Sequence, residues 1–256
     1  MIDLSIHDGI ARVTLNAPER LNALGPDDLR ALDAAYAEAG AAGVRALVLR
    51  GEGRSFCAGR DIAGVDPATD DVSGYLDGLV TPLLRRMSAF PAPTFAAAQG
   101  AALGVGLGLL IATDVVFVAE NAKVGSPFAA LGAALDSGGH WLLVSRLGPH
   151  RALDLIYSGR LISGAEAVAG GLFSRALPAD ELDASVEEAA ASASRGATRA
   201  FLASKNIVAG LRDGSLDLWG SVAAENEAQA ALRDTADYRE GFAAFQQKRP
   251  PVFRGD

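Results

Sequence analysis

One pattern occurs twice in this chain and limits what it can fold into: a short, largely apolar run leads directly into a glycine-bearing loop. Residues 44–49, apolar except for Arg45, precede Gly51-Glu-Gly-Arg-Ser-Phe-Cys-Ala-Gly59. Residues 94–98 precede Gln99-Gly-Ala-Ala-Leu-Gly-Val-Gly-Leu-Gly108. A strand that is apolar at consecutive positions, rather than at alternate ones, belongs in a sheet covered on both faces. The expected class is therefore α/β.

The flanking pattern agrees. Ile2, Leu4 and Ile6 alternate, Asp8-Gly9 supplies a turn, and Ile10, Val13 and Leu15 resume, which predicts a hairpin. Pro26 opens a helix to about residue 40, with Leu29, Leu32 and Tyr36 on one face. Residues 71–90 predict a helix stopped by Pro91 and Pro93, and residues 115–119 another strand. From residue 137 onward the pattern reads as helical, with breaks near Gly148, Gly159, Gly171, Gly196 and Gly214 and a last helix over 235–248. The organisation expected is an α/β core over 1–190 carrying the site and a helical region over 191–256, with no fixed-period repeat.

Composition removes several classes. Half of the 256 residues are apolar and 21% are charged, outside the range of a disordered chain. A formal charge of −8 without a Lys/Arg cluster argues against a nucleic-acid partner. One cysteine, Cys57, makes no internal disulfide and points to a reducing, cytoplasmic setting. With three histidines, the chain offers no zinc-type ligand spacing, so no metal is expected. The first residues, Met-Ile-Asp-Leu, lack the basic start of a signal peptide. The longest apolar run, residues 101–112, falls short of the roughly 20 residues a membrane-spanning helix needs, so no membrane partner is expected.

Strand-to-helix turns leave backbone N–H groups unpaired and pointing outward. Two such turns side by side would make an oxyanion hole. The same glycines would equally serve to bring a helix close to the sheet, and spacing does not separate these readings. The second loop is not a phosphate loop, because it lacks the G-x-x-x-x-G-K-[ST] lysine, and no acid completes a dinucleotide fingerprint.

The two loops, read as Phe56-Cys-Ala-Gly-Arg-Asp-Ile62 and Gln99-Gly-Ala-Ala-Leu-Gly-Val-Gly106, resemble the signature loops of the enoyl-CoA hydratase/isomerase (crotonase) superfamily. Pro18-Glu-Arg-Leu-Asn-Ala-Leu24, Asp114 with Ala122-Lys-Val-Gly125, and Phe245-Gln-Gln-Lys-Arg-Pro250 follow the same family in the same order. The resemblance implies a spiral of ββα units with C-terminal helices that build homotrimers or dimers of trimers. It implies an acyl-CoA thioester substrate, with coenzyme A as part of that substrate and no separate cofactor. The thioester oxygen would accept hydrogen bonds from the N–H groups of Arg60 and Val105, with the branched Val105 side chain narrowing the pocket. Leu21, Ala23, Ala58, Asp61, Ile62 and Lys248 would line or meet the coenzyme, and Phe128 the acyl group. The Arg60 side chain would reach a coenzyme phosphate or lie in solvent.

Hydratases of this family hold water between two glutamates. At the matching positions this chain has Gly108 and Phe128. Without an acid and a base, plain hydration is disfavoured. Asp136 is the acid that remains, at a position resembling the base of dienoyl-CoA and epoxyphenylacetyl-CoA isomerases, and its context is most like the latter branch. The resemblance thus implies an isomerase with one aspartate base, 1,2-epoxyphenylacetyl-CoA being the leading substrate. A Δ3,Δ2-enoyl-CoA isomerase, an atypical hydratase drawing an acid from Asp70, Asp71 or Asp77, and a non-catalytic acyl-CoA-binding subunit stay open. A dehalogenase is disfavoured, since no histidine lies between His7 and His140. Against the catalytic reading, the residues alone would equally make Asp136 only the N-cap of the helix that follows, accepting from the N–H of Gly138 or Gly139. His140 would face solvent or tune Asp136, Cys57 would be a small buried residue, and Asp114 would bridge structure.

Overall fold

The computed structural model describes residues 1–256. The expected hairpin forms: β1 (Ile2–His7) and β2 (Ile10–Leu15) pair antiparallel. Asp8 and Gly9 both take positive φ, the backbone a two-residue hairpin turn requires. Strand β3 (Ala46–Gly51) then pairs parallel with β2, followed by β4 (Thr94–Ala98), β6 (Val115–Ala119) and β9 (Arg175–Leu177). The sheet order is β1-β2-β3-β4-β6-β9. A second sheet, β5-β7-β8, is built from β5 (Ala101–Leu103), β7 (Lys123–Gly125) and β8 (Ile162–Ser163).

The central strands of the large sheet are buried on both faces, as their apolar runs demand, whereas edge strand β1 leaves alternate residues exposed. On one face Val13, Leu15, Leu47 and Leu49 meet Leu29, Leu32 and Tyr36 of α1 (Pro26–Ala41). The segment expected as one helix over 71–90 runs as α2 (Val72–Tyr75), a π turn (Leu76–Val80) and α3 (Thr81–Ser88), and adds Val80, Leu83 and Met87 to that core. On the other face Ala46, Val48, Phe95, Ala97 and Phe117 meet Leu142 and Leu143 of α5 (Gly139–Ser158) and Leu182, Val186 and Ala190 of α7 (Leu182–Ser194). Helix α4 (Val105–Ile111) lies between α3 and α5 in sequence, and α6 (Gly164–Ala169) between α5 and α7. Gly148 breaks α5 with a non-helical φ of 76°, where a break is expected.

The region from 137 onward is less uniformly helical than its pattern suggests, since β8 and β9 lie within it; β5 and β7 also go unread. At two or three residues each, these strands are too short to show a period. Helix α7 packs on β3 and β4, so the boundary expected at 190/191 falls inside a helix that belongs to the core. After it come α8 (Thr198–Arg212), α9 (Leu218–Leu232) and α10 (Ala236–Gln246). Arg45, the polar residue in the apolar run, ties this part down: it donates to Gly196 O, Thr198 Oγ1 and Phe253 O. That anchor sits at the start of β3, while the glycine loop leaves its other end.

No helix is long and apolar enough to cross a membrane.

Candidate active site

The loop after β3 is sandwiched between two neighbouring segments. From residue 56 its N–H groups donate in turn to Gln99 O, Ala101 O, Leu21 O and, for Gly59, the Cys57 sulfur; Asp61 N–H donates to Leu24 O. Only the N–H of Arg60 within this run has no partner in the fold. The loop is held further by two side-chain amides. Buried Asn22 donates to the carbonyls of Glu52 and Ser55, and Gln99 to those of Gly51 and Gly53.

The second loop arrives from β5. Gly104 takes φ 52° and ψ −117°, a conformation that side chains resist, and its N–H donates to Gly125 O. Val105 opens α4, so its N–H is one of the first-turn donors with no intrahelical acceptor. The loops touch at their glycines: a Cβ on Gly59 would lie 3.0 Å from Leu103 O and 3.9 Å from the Gly104 Cα. This contact brings the loop carrying the free Arg60 N–H against the loop carrying the free Val105 N–H. The Val105 side chain does not narrow the pocket as expected: at 1% exposed it turns into the core, in the same cluster as Leu109 and Leu110. The Phe128 ring closes over Gly104, its Cζ 3.1 Å from where a Cβ would stand.

Asp136 lies in the turn before α5, and the structure overturns its reading as a cap. The N-cap of α5 is Gly138, in left-handed conformation and without a side-chain bond. Gly139 N–H donates to the backbone carbonyl of Asp136, not to its carboxylate. The carboxylate has one partner, the Ser137 hydroxyl at 2.8 Å. It is half-buried, and that burial pushes its pKa above the ordinary carboxylate value, against the pull of the Ser137 hydroxyl and the Arg60 charge. Ser137 takes φ 54°, a strained backbone for a serine.

Gly108 faces this turn. A Cβ there would stand 2.5 Å from Ser137 Cβ and 3.0 Å from Ser137 O. The space that an acid at position 108 would use is filled by the residue that positions Asp136.

Neither expected placement of the Arg60 side chain holds. Nη1 and Nη2 donate to the two carboxylate oxygens of Asp70 at 2.8 and 2.5 Å, and the guanidinium stacks on Tyr75, 4.1 Å from Cζ to the ring centroid. Tyr75 in turn donates its hydroxyl to Leu24 O. Asp71 instead caps α2, and Asp77 is exposed. Tyr75 and Ser137 are the residues sequence reasoning missed as parts of the site, and Asp70, weighed there as a spare acid, is instead the partner of Arg60. Ser137 adjoins Asp136 in the motif, whereas the Arg60–Asp70–Tyr75 contacts span a loop and carry no spacing signal.

Leu21, Ala23, Ala58 and Asp61 are half-buried and Ile62 exposed, in the paired segments that lead away from the free N–H groups. Asp61 accepts from Arg20, which also holds Asp28. Lys248 is not brought to them within one chain. It is exposed beyond α10, its N–H bonded to Phe245 O, and the tail that follows is anchored by Arg45 at the far end of β3. Six strand residues at about 3.3 Å each separate that anchor from the loop.

Three expectations about single residues hold. Cys57 is fully buried and its thiol pushed up to about 12. Asp114 bridges, accepting from Thr94 N–H and Lys205 Nζ. His140 is exposed.

Comparison with known proteins shows the family. A family model described as enoyl-CoA hydratase/isomerase fits residues 5–256. A Rhodobacter capsulatus protein named "Probable enoyl-CoA hydratase" is 36% identical, covering 99% of this chain and 98% of its own length. The 1,2-epoxyphenylacetyl-CoA isomerase of Escherichia coli is 32% identical over 98% of this chain and 97% of its own. The crystal structure of an enoyl-CoA hydratase from Bacillus anthracis superposes with a TM-score of 0.90 at 28% identity, covering 100% of this chain and 99% of that one. Two free N–H groups held together by touching glycine loops, on this fold and in a chain matched over nearly its whole length, place it in the enoyl-CoA hydratase/isomerase family of enzymes.

Proposed function

We propose that the chain isomerises acyl-CoA thioesters with a single carboxylate base, 1,2-epoxyphenylacetyl-CoA being the leading substrate. The Arg60 and Val105 N–H groups hold the thioester oxygen. Asp136 takes a proton from the carbon next to the thioester, and the electron pair moves onto the held oxygen as an enolate. The same carboxyl group returns the proton to a carbon further along the conjugated acyl group. No atom is gained or lost. With the epoxide, the rearrangement opens the fused ring to its oxepin isomer. Two preorganised donors suit this chemistry because each contributes about 3–4 kcal/mol where the negative charge develops.

The observation that carries the reading is the turn at Asp136. Its carboxylate is half-buried and engaged only by Ser137, while the position facing it, Gly108, has no room for a second acid. Burial that raises the pKa of this carboxylate makes it a stronger base. Leu21, Ala23, Ala58, Asp61 and Ile62 form the coenzyme path. Phe128 forms an apolar wall of the acyl pocket.

A hydratase reading draws on the name of the Rhodobacter capsulatus relative. It requires a second acid, and the acid of the 66–77 segment that approaches the site, Asp70, is engaged by Arg60. Exposed Phe201, Val208, Trp219, Phe242 and Phe245 on α8–α10 support assembly into homotrimers or pairs of trimers, in which Lys248 serves the coenzyme of a neighbouring copy.

Mass spectrometry of 1,2-epoxyphenylacetyl-CoA, 3-enoyl-CoA and 2-enoyl-CoA incubated with the protein tests the reading. A product of unchanged mass but new chromatographic retention and fragmentation is expected. A product heavier by one water from the 2-enoyl ester, with the other esters untouched, contradicts it.

A further inference from the structure

Arg60 carries two groups: the N–H assigned to the thioester oxygen, and a guanidinium held by Asp70 and Tyr75 whose charge reaches Asp136. The Tyr75 ring supports that guanidinium from below, and Asp70 grips its end through both carboxylate oxygens. Neither partner is a loose surface group: the side chains of Arg60 and Asp70 are 22% and 15% exposed, and Tyr75 is buried. The guanidinium is thus held in one orientation before any ligand arrives, which removes most of the ordering cost of a new hydrogen bond.

A guanidinium carries five N–H donors. The grip of Asp70 uses one on each terminal nitrogen. The Nε–H and the second N–H of each terminal nitrogen have no partner in the protein. An acyl group lying against Phe128 and Asp136 strips water from this neighbourhood, and a donor left without an acceptor there is costly.

The charges select what can satisfy these donors. Arg60 and Asp70 neutralise each other, and Asp136 acts as a carboxylate. A second anion on the acyl group would meet the Asp136 charge with no free cation to offset it. A plain hydrocarbon would offer no acceptor at all. A neutral oxygen meets both conditions. We infer that the Arg60 side chain is a specificity-determining donor to a neutral oxygen on the acyl group (an epoxide, carbonyl or hydroxyl), so that the site favours oxygen-bearing acyl-CoA esters over hydrocarbon ones. This rests on the reading of the site as one for acyl-CoA thioesters, and deepens it by naming the acyl class and the side chain that reads it.

The test uses binding, so that it does not depend on turnover. Dissociation constants of phenylacetyl-CoA and 2-hydroxyphenylacetyl-CoA are measured by calorimetry for the wild type, Arg60→Ala and Arg60→Gln. The wild type is expected to bind the hydroxylated ester about tenfold more tightly, the worth of one hydrogen bond to a charged donor. Arg60→Ala is expected to bring the two esters within about twofold of each other, and Arg60→Gln, which keeps an amide donor, to retain an intermediate preference. If Arg60→Ala does not fold, Arg60→Gln carries the comparison. Equal binding of both esters by the wild type, or an unchanged preference in both variants, overturns the inference while leaving the acyl-CoA reading intact. Failure of the wild type to bind either ester overturns the acyl-CoA reading itself, and this inference with it.

Discussion

Gly108→Ala probes the packing that separates this site from a two-acid one. In most helices the substitution stabilises by about 1 kcal/mol, because alanine is the better helix former. Here the added Cβ would stand 2.5 Å from Ser137 Cβ and 3.0 Å from Ser137 O, so the turn carrying Asp136 must move. Overpacking of this kind costs about 1–3 kcal/mol, leaving a net loss of about 1 kcal/mol. For a chain of this size that corresponds to a fall of about 2–4 °C in Tm. Gly78→Ala is the control, since a Cβ there meets nothing within 4 Å and Gly78 lies in the helical stretch after α2. Thermal melts of the two variants should therefore move in opposite directions. The displaced Asp136 should also lower turnover of the epoxide ester by about tenfold or more, as small misplacements of catalytic groups do. A Gly108→Ala protein that melts above the wild type and keeps full activity would refute the argument that Ser137 occupies this space.

Three further outcomes follow from particular contacts. Burial raises the pKa of Asp136 in the folded protein, so the fold binds that proton more tightly than the unfolded chain does. Its contribution to stability is present below the ordinary aspartate pKa of about 3.9 and is lost as pH rises through the folded value. Asp136→Asn should accordingly raise Tm at pH 7, with the gain shrinking in acid; an N-cap role would instead lower Tm through the loss of about 1 kcal/mol. Cys57, buried with its thiol pushed up to about 12, should resist a disulfide reagent at neutral pH until the protein is denatured; labelling of the native protein at the rate of a free thiol would contradict its placement. Lys205→Ala removes the donor that ties α8 to Asp114 and to the carbonyls of Phe90 and Ala92, at a cost of about 1–3 kcal/mol seen as a lower urea midpoint.

Much of the fold is legible in the residues, for definite reasons. Strands β3 and β4 announce themselves because both of their faces are covered, and the β1–β2 hairpin because Asp8-Gly9 accepts positive φ at both turn positions. Strands β5, β7, β8 and β9 do not, since pairing across the chain makes them and two or three residues leave no pattern. At the site, the free N–H groups of Arg60 and Val105 are legible through the loops that carry them. The Asp136 carboxylate is misread as a cap because nothing in Asp-Ser-Gly-Gly shows that both Ser137 and Gly138 take positive φ and turn it away from the helix. Arg60 is misplaced because its partners, Asp70 and Tyr75, reach it only through the course of the 61–75 segment. Lys248 is misplaced within the chain because the anchoring of the tail by Arg45 is a contact between residues far apart in sequence.

The most direct test of the central claim is exchange of the α-protons of phenylacetyl-CoA in deuterated water, followed by mass spectrometry, for the wild type beside Asp136→Asn. This ester has the proton to be abstracted and no onward rearrangement, so it isolates the step assigned to Asp136 and the two N–H groups. Deuterium uptake catalysed by the wild type and reduced by about 1,000-fold or more in a folded Asp136→Asn protein that still binds the ester is the predicted result. Equal uptake in both proteins would show that another group removes the proton, and the account of this site would be wrong.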